Sequence, residues 1–225
     1  MKNGFVRVGS FTPDIKVANC KYNSEQIINY MKEAANANCD IVVFPELSVT
    51  GATCADLFFN RQLTRSAEDG IAGIAEFTSG KDLAVVVGAP VPVCGKLYSC
   101  AVVIKDGKVT GIVPKKCISA ENRRWFASGA DLTDYDVITY AGQECEISPD
   151  LHFKVGKGVF AIQVGEDVTV PEAFMSICSS AHMVLHLSAD IETLDSHKTV
   201  RESLAHLSRM TSTAYIHASA GTGES

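Results

Sequence analysis

Apolar residues fall in short blocks along the chain, and the spacing within each block predicts its form. Phe5 to Phe11, rich in Val and Phe and closed by Pro13, reads as a strand. Ser24 is placed as a helix N-cap, with Ile27, Ile28, Met31, Ala34 and Ala35 following at helical spacing to give one buried stripe. Ile41 to Phe44 is a continuous apolar run, the pattern of a strand covered on both faces. A second helix is predicted within Arg61 to Phe77, and Leu83 to Val87 is the next strand. Tyr98–Ile104 and Val109–Val113 flank Asp106-Gly107, a dipeptide suited to the positive φ of a tight turn, and so predict a hairpin. Val159–Val164 is a strand, a helix opens near Pro171, and Met183–Leu187 is a further strand. Thr199–Thr213 is an amphipathic helix and Ala214–Ala218 a final strand, whereas 116–150 shows no clear period. Strands alternating with helices around an inserted hairpin predict a mostly open sheet with helices outside it, not an all-β barrel.

Composition narrows the class. With 225 residues, 46% of them hydrophobic, the chain is expected to form one domain spanning 1–225, with a sizeable core. The net charge of −6, with only Lys115-Lys116 and Arg123-Arg124 as basic clusters, argues against a nucleic-acid surface. No apolar run approaches the ~20 residues that span a bilayer, and no signal peptide precedes Phe5. The eight cysteines form no CxxC pair and several sit inside apolar runs, which predicts reduced thiols and a cytoplasmic protein.

Candidate chemistry lies where polar groups follow apolar strands, since strand ends are where open α/β sheets place ligands. Glu46 ends the Ile41–Phe44 strand, Pro114-Lys115 ends Val109–Val113, and Gly165-Glu166-Asp167 closes Val159–Val164. Each is unspecific alone, because a strand-end carboxylate is more often an exposed cap than a catalyst.

Taken together, "VVFPELSVTG" around Glu46, "GIVPK" ending in Lys115 and "VGED" from Val164 resemble the nitrilase, or carbon–nitrogen hydrolase, superfamily. "FPELSVTGATCADLFF", "LYSCAVVIKDGKVTGIVPK", "RRWFASG" and "YIHASAGTGES" are similar in particular to the glutaminase domain of glutamine-dependent NAD synthetases. The resemblance implies a four-layer α-β-β-α sandwich of the nitrilase type. It implies Glu46 as general base, Lys115 as oxyanion stabiliser and Gly165 at the position of the cysteine nucleophile. Glu121, Glu166, Ser188 and Asp190 are the implied substrate contacts, glutamine or a related small amide the implied ligand, and a homo-oligomer the implied assembly. A C-terminal NAD synthetase domain is implied as a partner. ATP and magnesium would belong to that domain; this one carries no SGGxDS-type phosphate loop, no metal site and no cofactor.

The chemistry explains the residue types. Thiolate attack on an amide carbon gives a thioester, a carboxylate moves the protons, and a fixed ammonium stabilises the oxyanion, one such donor being worth about 3 kcal/mol. Glycine cannot supply the first step. Other positions depart from the family pattern as well. "KCISAEN" is about four residues shorter than the usual loop and offers no clear counterpart to its tyrosine, although Glu121 stands in for its glutamate. Val168-Thr169 replaces an aromatic, Ala52 stands at a usual tyrosine, and Asp190 at a usual serine. An engineered knock-out would change the nucleophile alone, so the pattern reads as natural degeneration. Cys117 and Cys178 read as buried or partly buried thiols, Trp125 and Phe126 as core or interface residues, and His182 with His186 as packing rather than a metal pair. The leading expectation is a glutaminase-like domain without glutamine hydrolysis. The alternatives are an active carbon–nitrogen hydrolase with a non-standard site, and a non-enzymatic binding or oligomerisation module.

Overall fold

The computed structural model describes residues 4–132, 136–170, 180–191 and 193–224. The helix expected near Pro171 and Cys178 lie outside them. The described chain runs β1 (Val8–Ser10), α1 (Cys20–Asn36), β2 (Ile41–Val43), α2 (Arg61–Thr78), β3 (Ala84–Val93), β4 (Lys96–Lys105) and β5 (Lys108–Pro114). It continues with β6 (Asp136–Tyr140), β7 (Gln143–Ile147), β8 (Phe153–Val155), β9 (Gly158–Val164), β10 (Met183–Ser188), α3 (Ser196–Thr211) and β11 (Ala214–Ser219).

Two sheets replace the single open sheet that alternation suggested. One has the order β1-β2-β3-β4-β5-β7-β6, the other β11-β10-β9-β8. The reason is two-sided burial. On β3, Val85 and Val87 face the α1–α2 layer, while Ala84 and Val86 face the second sheet. Their partners across the interior are Phe160, Ile162, Val164, Leu185 and Leu187. Ala161 and Val184 turn outward against Leu204 and Leu207 of α3. Helices, sheet, sheet and helix therefore stack as four layers, the α-β-β-α sandwich that the resemblance implied.

Local differences have local causes. Helix α1 begins at Cys20, because Asn19 caps it by accepting the Tyr22 N–H. Ser24 is not a cap; it lies buried inside α1, at the point where Gly70 of α2 comes close. β1 is shorter than the apolar run, and β3 extends through Val93 into a second hairpin with β4. The Asp106-Gly107 turn forms as expected, with φ of 48° and 76°. Within 116–150 the chain forms the β6–β7 hairpin, which the pattern did not reveal because Asp136–Tyr140 alternates only half-buried and exposed positions before Tyr140.

One close approach positions the site. The loop after β2 folds back over β3, with Val49 N–H donating to Gly88 O at 3.1 Å and Phe44 N–H to Val86 O at 2.9 Å. A Cβ on Gly88 would overlap Leu47 N and Pro45 O and lie 2.7 Å from the Glu46 carbonyl carbon. Gly88→Ala is therefore expected to cost about 1–3 kcal/mol, the usual range for overpacking, read as a lower urea midpoint with unchanged slope.

Candidate functional site

The strand ends of β2, β5 and β9 meet at the rim between the two sheets. Glu46 follows β2, Lys115 follows β5, and Gly165 opens the 3-10 turn Gly165–Thr169 after β9. Glu46 and Lys115 are both buried. Lys115 Nζ donates to Glu46 Oε1 at 3.0 Å and Oε2 at 3.3 Å, and the Ser99 hydroxyl on β4 donates to the same Oε1 at 2.8 Å. Glu166 forms a second ion pair with Lys115. The backbone of Lys115 is fixed too, its N–H donating to Ser99 O at 2.8 Å and its carbonyl accepting from Gly129 N–H at 2.7 Å.

Two carboxylates share one ammonium. Burial alone would pull the Lys115 pKa down, but the charges of Glu46 and Glu166 and their hydrogen bonds outweigh it and hold it above its ordinary value. Burial raises the Glu46 carboxyl, opposed by Lys115 and Ser99. Lys115 is thus a fixed cation.

Gly165 faces this pair with φ of +52°. A Cβ built there would overlap Lys115 Nζ and lie 2.7 Å from Glu46 Oε2. The ammonium fills the space that a side chain at position 165 would need. Two groups beyond Glu46 and Lys115 hold the turn. Asp167, buried, accepts from Lys116 N–H at 3.0 Å, Cys117 N–H at 2.7 Å and Val164 N–H at 3.3 Å, which ties the β5 loop to the β9 turn. On the other side, His186 Nε2 lies 2.9 Å from Gly165 O, and His186 Nδ1 lies 3.0 Å from His217 Nδ1. A carbonyl only accepts, so neutral His186 carries its proton on Nε2 and His217 donates to its Nδ1. Burial lowers the His186 pKa to about 4 and lowers that of His217 as well.

Of the other sequence candidates, Glu166, Glu121 and Asp190 line one cavity of about 630 Å³ with Glu46 and Lys115. Ser188 does not line it; its hydroxyl donates to Asp190 Oδ2 at 2.8 Å and so orients that carboxylate. Ala52 lines the cavity, as do Trp125 and Phe126. Phe126 is also core, packed edge-on to Phe58 at 4.8 Å, and the Trp125 indole N–H donates to Asp56 at 3.0 Å. Burial, then the Asp167 carboxylate, pushes the half-buried Cys117 thiol up to about 11, which keeps it protonated. His182 and His186 do not act together: His182 Nδ1 accepts from Val159 N–H at 3.1 Å, whereas His186 is buried against the turn. Among the described residues no group of three or more His, Cys, Asp or Glu is placed to hold a metal, the seven described cysteines are unpaired, and no helix is long and apolar enough to cross a membrane. Ser99 and His217 were not singled out by sequence, and Asp167 was noted only for its place at a strand end. For Ser99 and His217 the only signal was a polar residue within an otherwise apolar strand.

Comparison with known proteins places this geometry. The carbon–nitrogen hydrolase family model matches residues 7–125. The glutamine-dependent NAD(+) synthetase of Mycobacterium leprae is 26% identical over 231 residues, covering 99% of this chain and 34% of the relative. That of Mycobacterium tuberculosis is 27% identical over 235 residues, covering 100% and 34%. The chain thus spans about a third, 34%, of the length of these curated relatives. Among solved structures, a glutamine-dependent NAD(+) synthetase from Cytophaga hutchinsonii superposes with a TM-score of 0.83 at 22% identity, over 96% of this chain and 36% of that one. An amidase from Nesterenkonia sp. gives 0.76 at 16% identity, over 100% and 80%.

Two outcomes follow from the site. Lys115→Met leaves Glu46 buried without its cation and should cost about 3–5 kcal/mol; adding Glu46→Gln should recover part of that in urea unfolding. For His186, the folded pKa of about 4 against 6.5 unfolded means that the unfolded chain binds more protons between these values. Its contribution, about 3 kcal/mol, is present above pH 6.5 and is lost as pH falls toward 4. The acid loss of stability across that window should be smaller by about this amount in His186→Gln, measured as urea midpoints at both ends.

Proposed function

Because the chain belongs to the carbon–nitrogen hydrolase family, we propose that it is a glutaminase-type domain of a glutamine-dependent NAD synthetase that no longer hydrolyses glutamine. The observation that carries this reading is Gly165. The position facing the Glu46–Lys115 pair has no side chain, and Lys115 Nζ stands in the space one would use. A covalent acyl intermediate needs a nucleophile at that point, and the nearby Cys117 is held protonated. Glu46 and Lys115 keep the types suited to proton transfer and oxyanion stabilisation. Both are spent on one another and on Glu166.

The cavity is retained although the nucleophile is missing. This supports a domain that binds a small molecule or serves in assembly, with free ammonia supplied to a synthetase domain C-terminal to it. Relatives about three times as long, of which this chain spans 34%, support such a partner. Self-association is part of the same reading.

Purified protein is expected to release no ammonia from glutamine above a buffer control. Turnover that persists with Cys117 and Cys178 replaced would sink the proposal. Gly165→Cys alone should leave glutaminase activity absent, because Ala52 and Asp190 also alter the cavity and Lys115 must move to admit the new Cβ. Full activity in that variant would mean that only the nucleophile had been lost. Screening amides and nitriles addresses non-covalent hydrolysis, which would require turnover abolished by Glu46→Gln.

A further inference from the structure

We propose that the cavity beside Gly165 accepts a small organic cation, a primary amine or an amino amide lacking a carboxylate, in preference to a zwitterionic amino acid. The inference rests on reading this site as one that binds without forming a thioester, and it names the ligand class of that site.

Size and wall come first. A cavity of about 630 Å³ lies within the range of sites for organic ligands. Leu47, Ile118, Trp125 and Phe126 give it an apolar wall. The Trp125 ring is held in place by its N–H bond to Asp56 and by packing on Phe58. A fixed indole is a surface on which an alkylammonium gains cation–π attraction.

Charge then selects the occupant. Among the described residues lining the cavity, four are carboxylates, Glu46, Glu121, Glu166 and Asp190, and Lys115 is the only cation. Lys115 is already engaged by Glu46 and Glu166, so it has no charge left to offer an incoming carboxylate. Of the cations nearby, Arg124 pairs with Asp56 and Lys116 with Asp150, while Arg123 and Arg201 line other cavities. Asp190 is oriented as an acceptor by the Ser188 hydroxyl and by its own N–H, which meets Ser188 Oγ at 3.2 Å. A ligand carboxylate would meet uncompensated negative charge, while an ammonium would neutralise it. The substitution of Asp190 at a position where the family resemblance implied serine adds one of these charges.

The test is calorimetric titration of the full chain at neutral pH with 4-aminobutanamide and putrescine as cations, glutamine as zwitterion and glutarate as dianion. At least one cation is expected to bind about tenfold more tightly than glutamine or glutarate, with affinity falling as salt is added. The double variant Glu121→Gln/Asp190→Asn, at two exposed positions, should weaken it by about tenfold or more while leaving the urea midpoint unchanged. Heat from neither cation, glutamine or glutarate binding as tightly, or salt-independent affinity would overturn the inference. The two readings fail separately: tight glutamine binding without ammonia release removes only the charge preference, whereas ammonia release removes the reading of the site itself.

Discussion

The buried contact between Lys115 and Glu46 is the constraint around which the rest of the site is arranged. Each charge would be costly to bury alone, so the two strand ends that carry them must meet within hydrogen-bonding distance. The fold meets that demand through backbone. Gly88 allows the Glu46 loop to lie on β3, and Gly129 and Ser99 clamp the backbone of Lys115. Ser99 then fills a further acceptor position on Glu46. The sandwich brings β9 from the other sheet to the same rim, which is why a residue at the start of the turn after β9 faces the pair.

Glycine at that place changes what the pair does. With a nucleophile, an ammonium and a carboxylate beside it would serve bond making and proton transfer. Without one, the ammonium settles between two carboxylates and occupies the empty position. The turn itself is retained, braced by Asp167 on one side and by the His186–His217 pair on the other. On the proposed reading, the scaffold of the site is kept without its covalent chemistry.

Much of this was legible in the chain. The apolar blocks ending at Phe44, Val113 and Val164 marked three strands, and the polar residue after each was identifiable by position alone. Glu121, Glu166 and Asp190, which only the family resemblance implied as substrate contacts, all line the cavity. What periodicity could not show was the division into two sheets, because a strand covered on both faces reads the same whether helix or sheet covers it. It also could not place Ser188, which does not line the cavity and instead bonds Asp190. Nor could it assign the roles of Ser99, Asp167 and His217. Their partners are 53 residues away for Ser99 and Glu46, 50 for Asp167 and Cys117, and 31 for His217 and His186, separations that no local pattern encodes. The capping of α1 shows the same limit on a smaller scale: Ser24 is a residue type suited to a cap, but it lies inside α1 where Gly70 comes close.

Lys115 is a locked cation standing where a side chain at position 165 would begin. Nitrogen-15 NMR of the Lys115 ammonium, followed through alkaline pH, measures this directly. The account predicts that Nζ stays protonated beyond the ordinary lysine value of 10.5, with slowed proton exchange from its bonds to Glu46 and Glu166. An amine that becomes neutral below that value, or one in free exchange with solvent, would contradict it.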